Sequence, residues 1–219
     1  MTYNLIGLTR KIEYLAVKSK LAYWAASQYY RNVIQNEIYL ANITKNDHVL
    51  CIGGGICPFS AILFHEITGA RVTVIDNCKK CIEEARQVID RMGLAEYVNA
   101  VWQDGGSIGF SLSDFSVIHF ALQVCPMEHV FPQIRKQVTP GTKLLVRRPK
   151  KCLNMIYSQL AGSLLNCCKH IKHQKACNIG STLLYIKQER LCECEKKMAL
   201  AGFARTADTS AAFPYPVAV

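Results

Sequence analysis

The chain has 219 residues, half of them hydrophobic, enough for one domain with its own core, yet no apolar run of about 18 residues suited to crossing a membrane. A formal charge of +10 leaves open a nucleic-acid partner or an anionic small substrate. The basic residues are dispersed, dense only at Arg147–Lys151 and Lys169–His173, which favours solvated basic surface over nucleic-acid binding.

Residues 11–41 are helical in pattern and lead into a first strand through Asn42–Asp47. Val49–Ile52 is that strand, and Pro58–Thr68 the helix after a glycine turn. Arg71–Asp76 is a second apolar strand. Lys79–Met92 is amphipathic and is closed by Gly93. Val98–Trp102 is a third strand, Phe115–Leu122 a fourth that is nearly all apolar, Pro126–Gln137 a helix and Lys143–Arg147 a fifth strand. Ser181–Lys187 reads as a late strand, 189–201 as a helix, and 210–216 as a loose tail. Strand alternating with helix predicts an α/β, Rossmann-like, doubly wound and mostly parallel sheet. The division is a helical N-terminal cap at 1–47, a nucleoside-binding domain at 48–187, and a C-terminal helix and tail at 188–219.

The chemistry concentrates where strands end. An apolar run stops at Gly53-Gly54-Gly55, and a second stops at Asp76, about 20 residues on. That is the layout of a nucleotide site at the carboxyl edge of a parallel sheet, glycines admitting the ligand and the acid taking ribose hydroxyls. The spacing G-x-G-x-x-G would place its third small residue at Pro58, which removes an N–H donor that a pyrophosphate would use. S-adenosylmethionine (SAM), which has no phosphate, fits better than a dinucleotide, and the fold class becomes that of the class I SAM-dependent methyltransferases. The glycine turn is then expected beneath the amino-acid arm and sulfonium. Asp76 chelates the ribose, with Asn77 beside it. Asp104 accepts the adenine amino group near Gln103 and Gly105, and Ala121 and Leu122 floor the site.

Eleven cysteines include Cys78-Lys79-Lys80-Cys81, Cys167-Cys168 and Cys192-Glu193-Cys194. The N-terminus lacks a basic stretch, apolar segment and small-residue cleavage site, so a cytoplasmic chain with reduced thiols is expected. Thiols without a metal are favoured over a four-thiolate site, because the pairs lie far apart in the sequence.

The run Ile52–Phe59, followed by Ala61-Ile62-Leu63, resembles the glycine–proline loop of nicotianamine synthases and related metallophore enzymes. Asn36-Glu37, Leu144–Arg148 leading to Ile156-Tyr157, and Asn178–Leu184 extend the resemblance over roughly residues 29–187. It implies a methyltransferase-type fold that transfers the 3-amino-3-carboxypropyl arm of SAM to a small amine or amino-acid acceptor, releasing methylthioadenosine. Glu37 is then the expected base, with Tyr29, Tyr30 and Tyr39 as neighbours; Tyr30 is taken with it as catalytic. Arg147 and Arg148 are expected to bind a substrate carboxylate. The chain departs from the family pattern at Ile56 and Cys57, in a shorter N-terminal region and beyond Glu189. Ordinary methylation of a small molecule or RNA, and a non-catalytic SAM- or metal-binding module, therefore remain open.

Overall fold

The computed structural model describes residues 14–189 except 16, 18, 159, 161–167 and 175–177. The expected helix at 189–201 beyond its first residue, the tail at 210–216 and Cys167, Cys192 and Cys194 lie outside those residues. The elements run α1 (Lys20–Ala41), β1 (His48–Ile52), α2 (Phe59–Thr68), β2 (Arg71–Asp76), α3 (Lys79–Arg91), β3 (Val98–Trp102), β4 (Val117–Phe120), α4 (Met127–Gln137), β5 (Lys143–Pro149), β6 (Lys169–Lys172) and β7 (Ile179–Ile186).

The strands form one sheet in the order β3-β2-β1-β4-β5-β7-β6. β1 to β5 pair in parallel, whereas β7 is antiparallel to β5, and β6 to β7. Because successive residues of a strand face opposite ways, the sheet feeds two cores. Val49, Cys51, Val72, Val74, Val117, Leu145 and Leu184 pack beneath α1, α2 and α3. Leu50, Ile52, Ile118, Phe120, Leu144, Val146 and Tyr185 pack against Met127, Val130, Phe131 and Ile134 of α4. Full burial of β4 on both faces explains its uniformly apolar look, broken only by His119.

Ser19 caps the N-terminus of α1 by accepting the Ala22 N–H, and Asn42, left-handed at φ 49, ends the helix and turns the chain toward β1. α1 buries Val33, Ile34 and Ala41, while Trp24 and Tyr39 stay exposed.

Two corrections to the expected strands follow. The fourth strand is shorter, Val117–Phe120, because Ala121 and Leu122 already turn over the sheet edge. The basic run at 169–173 is not simply solvated surface: Lys169–Lys172 is an edge strand with an exposed pattern, and His173 at its end turns inward to 4% exposure. Lysines on an edge strand are a common guard against further strand pairing.

Candidate active site

At the carboxyl end of β1 the chain reverses through Gly53 (φ +86) and Gly55 (φ +62), left-handed conformations that side chains resist. The N–H groups of Gly53 and Gly54 both donate to the Ile75 carbonyl, at 2.9 and 3.2 Å, and Gly55 N–H donates to Asp76 Oδ2 at 2.9 Å. A Cβ on Gly54 would overlap Val74 Cγ2, so this glycine is required by contact with β2 and not by its dihedrals. Asp76 Oδ1 accepts the Cys78 N–H at 2.9 Å. One carboxylate thus ties the glycine turn to the start of α3, and each oxygen keeps a second lone pair for a hydroxyl donor.

Other residues expected around a nucleoside gather at the same edge. Asn77 is exposed, and its carbonyl accepts the Trp102 indole N–H at 3.0 Å. Gln103 N–H donates to the Asp76 carbonyl at 3.1 Å, and its amide donates to Ser107 O at 2.6 Å. Asp104 is exposed and accepts the Gly106 N–H at 2.8 Å. Gly105 is buried, and a Cβ there would come within 2.7 Å of Ile52 Cγ2. Ala121 N–H donates to Ile52 O at 3.0 Å, which seats Ala121 and Leu122 beside the glycine turn.

A cleft open to solvent runs from that turn toward α1. Its lining includes Gly53, Gly54, Ala121 and Leu122, and on the far side Tyr30, Ser60, His119, Arg147 and Asn178. Asp76, Gln103 and Asp104 stand outside this lining, at the carboxyl ends of β2 and β3.

The far side is organised by a buried carboxylate. Glu37, fully buried on α1, receives Arg147 Nε at 2.8 Å and Nη2 at 2.9 Å, and the Thr182 hydroxyl at 2.7 Å. Arg147 Nη1 donates to Ser60 Oγ at 2.9 Å, and the guanidinium carbon lies 6.0 Å from the Tyr30 ring centroid. The Thr182 hydroxyl is also 2.8 Å from His173 Nε2, while His173 Nδ1 is 3.3 Å from the Asn36 amide. α1, α2, β5 and β7 are thereby joined through one bidentate ion pair. His119 lies beside it, with Nε2 3.5 Å from Glu37 Oε2 but not aligned for a hydrogen bond. Neither ring nitrogen of His119 has a hydrogen-bond partner among the described residues.

Burial by itself would raise the Glu37 pKa, but the Arg147 guanidinium, with His119, outweighs it and holds the carboxyl well below the usual range. Burial lowers His119, reinforced by Arg147 and opposed by Glu37, and burial also lowers His173. Both imidazoles are therefore neutral near pH 7.

These contacts change the expected roles. Both Glu37 oxygens are engaged by Arg147, and its charged form is the stabilised one. Tyr39 is 81% exposed, away from the cleft. Tyr30 lines the cleft, and the Tyr29 hydroxyl donates to Asn178 Oδ1 at 2.6 Å. Arg147 and Arg148 do not act together: alternation along β5 sends Arg147 to the cleft face and half-buried Arg148 to the opposite one. His119 was overlooked, although a histidine inside the otherwise apolar run Val117–Phe120 is a usable signal. Contrary to the expectation of reduced thiols throughout, Cys78 and Cys81 form a disulfide.

No protein-family model matches the chain, and no curated protein matches it in sequence. Solved structures do match. A Glu→Gln variant of MtNAS, a nicotianamine synthase, in complex with S-adenosylmethionine is similar at TM-score 0.70 and 22% identity, over 84% of this chain and 74% of that one. The chain has the fold of MtNAS and of the SAM-dependent methyltransferases. MtNAS in complex with MTA and tNA is similar at TM-score 0.68 and 22% identity, over 83% of this chain and 72% of that one. An RNA methyltransferase from Salinibacter ruber in complex with S-adenosyl-L-homocysteine is similar at TM-score 0.55 and 16% identity, over 74% of this chain and 94% of that one.

Proposed function

We propose that the chain is a SAM-dependent transferase that moves the 3-amino-3-carboxypropyl arm of SAM to a small amine or amino-acid acceptor and releases methylthioadenosine. The observation that carries this reading is the pairing, in one cleft, of a glycine turn without free donors and a charge-neutralised arginine wall. Gly53, Gly54 and Gly55 all have their N–H groups engaged within the protein. A pyrophosphate, which needs such donors, finds none on these three residues, whereas a phosphate-free nucleoside does not require them. Across the cleft, Glu37 cancels the Arg147 charge, so a cationic sulfonium is not repelled.

When bound, SAM supplies a sulfonium whose leaving group is already activated. The chain's own residues then aim and deprotonate the nucleophile. Asp76, with Asn77 alongside, takes the ribose hydroxyls; Gln103, Asp104 and Gly105 border the adenine, and Ala121 and Leu122 floor the sulfonium. Arg147 Nη1 and Nη2 each keep a second N–H for a carboxylate of the acceptor or of the amino-acid arm. Tyr30, facing the guanidinium, orients the acceptor. His119, neutral and in the lining, takes the proton from the attacking amine, and Glu37 positions Arg147. The likeness to MtNAS structures bound to SAM and to MTA and tNA supports this reading.

Methyl transfer from the same cofactor is the second reading. It is favoured by the likeness to the RNA methyltransferase and by the +10 charge. Incubation with SAM and a panel of amino-acid amines, followed by mass spectrometry of the nucleoside, separates the two. Methylthioadenosine supports arm transfer, and S-adenosylhomocysteine supports methyl transfer. For arm transfer, Arg147→Lys, which keeps the charge and loses the planar fork, raises KM for carboxylate-bearing acceptors more than it lowers kcat.

A further inference from the structure

The first turn of α3 carries Cys78-Lys79-Lys80-Cys81 directly after Asp76. Cys78 is the helix N-cap, and its Sγ accepts the Cys81 N–H at 3.2 Å. The two sulfurs, a carboxylate oxygen of Asp76 and no other His, Cys, Asp or Glu among the described residues form a group whose ligand atoms all lie within 4.8 Å of one another, each residue half-buried. Lys79, which follows Cys78, directs its ammonium toward the Trp102 ring, 5.7 Å from the centroid.

We propose that the reduced form of this turn is a binding site for a thiophilic divalent cation such as Zn²⁺, held by Cys78 Sγ, Cys81 Sγ and Asp76. The disulfide is the metal-free, oxidised form. A thiol or phosphine reductant supplies two electrons, each sulfur takes up a proton, and binding the cation then releases both protons as the thiols become thiolates. Two soft sulfurs select zinc or cobalt over magnesium and calcium. Three protein ligands leave one tetrahedral position for water or another donor. Asp76 is shared with the glycine turn, so the cation and ribose hydroxyls compete for it; that competition, unlike the cation site itself, rests on the function proposed above.

The test is Co²⁺ titration of the full chain after phosphine reduction and removal of the reductant under anaerobic conditions. It is read by thiolate-to-cobalt charge-transfer absorption in the near ultraviolet, and Zn²⁺ is then added to displace cobalt. The expected result is one equivalent of cobalt bound with charge-transfer bands. Those bands are lost in the Cys78→Ser/Cys81→Ser double variant and weakened at least about tenfold in affinity in Asp76→Asn. Circular dichroism identifies any variant that has not folded, and Cys81→Ser alone serves in its place. Absence of the bands in the reduced protein, their persistence in the double variant, or unchanged affinity in folded Asp76→Asn overturns the site. No cofactor is present in these measurements, so they stand even if SAM does not bind. SAM added afterwards reads the competition separately.

Discussion

At the carboxyl ends of β1, β2 and β3 the sheet edge is held by backbone: glycine N–H groups against the Ile75 carbonyl, a carboxylate bridging two main-chain donors, and glycines packed where a Cβ would collide. Across the cleft, at α1, β5 and β7, the wall is made by side chains meeting in a buried ion pair: Glu37, Arg147, Thr182 and Ser60. The first region is local, its key residues a strand and a helix apart. The second joins residues 87 to 145 positions apart. Damage to the backbone side should therefore strike ligand binding with modest loss of fold, and damage to the side-chain seam should strike the fold as well as activity.

The largest effect is expected at the seam. Glu37→Gln leaves the Arg147 guanidinium buried without its counter-charge, which costs on the order of 3–5 kcal/mol, measured by urea unfolding. A variant that lost activity at full stability would return Glu37 to the role of base. Next, Gly54→Ala forces its Cβ into Val74, which costs about 1–3 kcal/mol and weakens SAM binding by calorimetry. The double variant Gly54→Ala/Val74→Ala should recover part of the SAM affinity; no recovery would move the cause from packing to the turn itself.

A gentler separation comes from pH. His119 and His173 have folded pKa values lowered chiefly by burial. The unfolded chain therefore binds more protons, and the stability present above about pH 6.5 drains as pH falls below it, by at most about 1.4 kcal/mol per pH unit for His119. Glu37, also lowered, adds a second loss that starts only below the ordinary carboxylate range, near pH 4.5. Thermal unfolding across pH 4–8 should show the first stage flattened in His119→Gln. The smallest effect is Tyr29→Phe, which removes the bond to Asn178 and should cost about 1 kcal/mol while altering acceptor KM more than SAM affinity.

The same contrast explains what was readable in the sequence. Glycines, a strand-ending acid and alternating apolar runs are short-range signals, so the order of β1 to β5, the turn at Gly53–Gly55 and the place of Asp76 were all legible. β6 was not, because an exposed edge strand of the form Lys-His-Ile-Lys has no apolar run to reveal it. The partners of Glu37 were not legible either: Arg147 and Thr182 come from strands far along the chain, and nothing near Glu37 announces a counter-ion. Arg147 and Arg148 look like a pair in sequence, yet the pleat of β5 sends them to opposite faces.

The measurement closest to the central claim uses SAM labelled with ¹³C in its methyl group, the wild-type chain and an amino-acid acceptor, with label followed by mass spectrometry. The account predicts that the label stays with the nucleoside as methylthioadenosine, and that the acceptor gains an unlabelled aminocarboxypropyl group. Label appearing on the acceptor, with unlabelled S-adenosylhomocysteine as the nucleoside product, would contradict it.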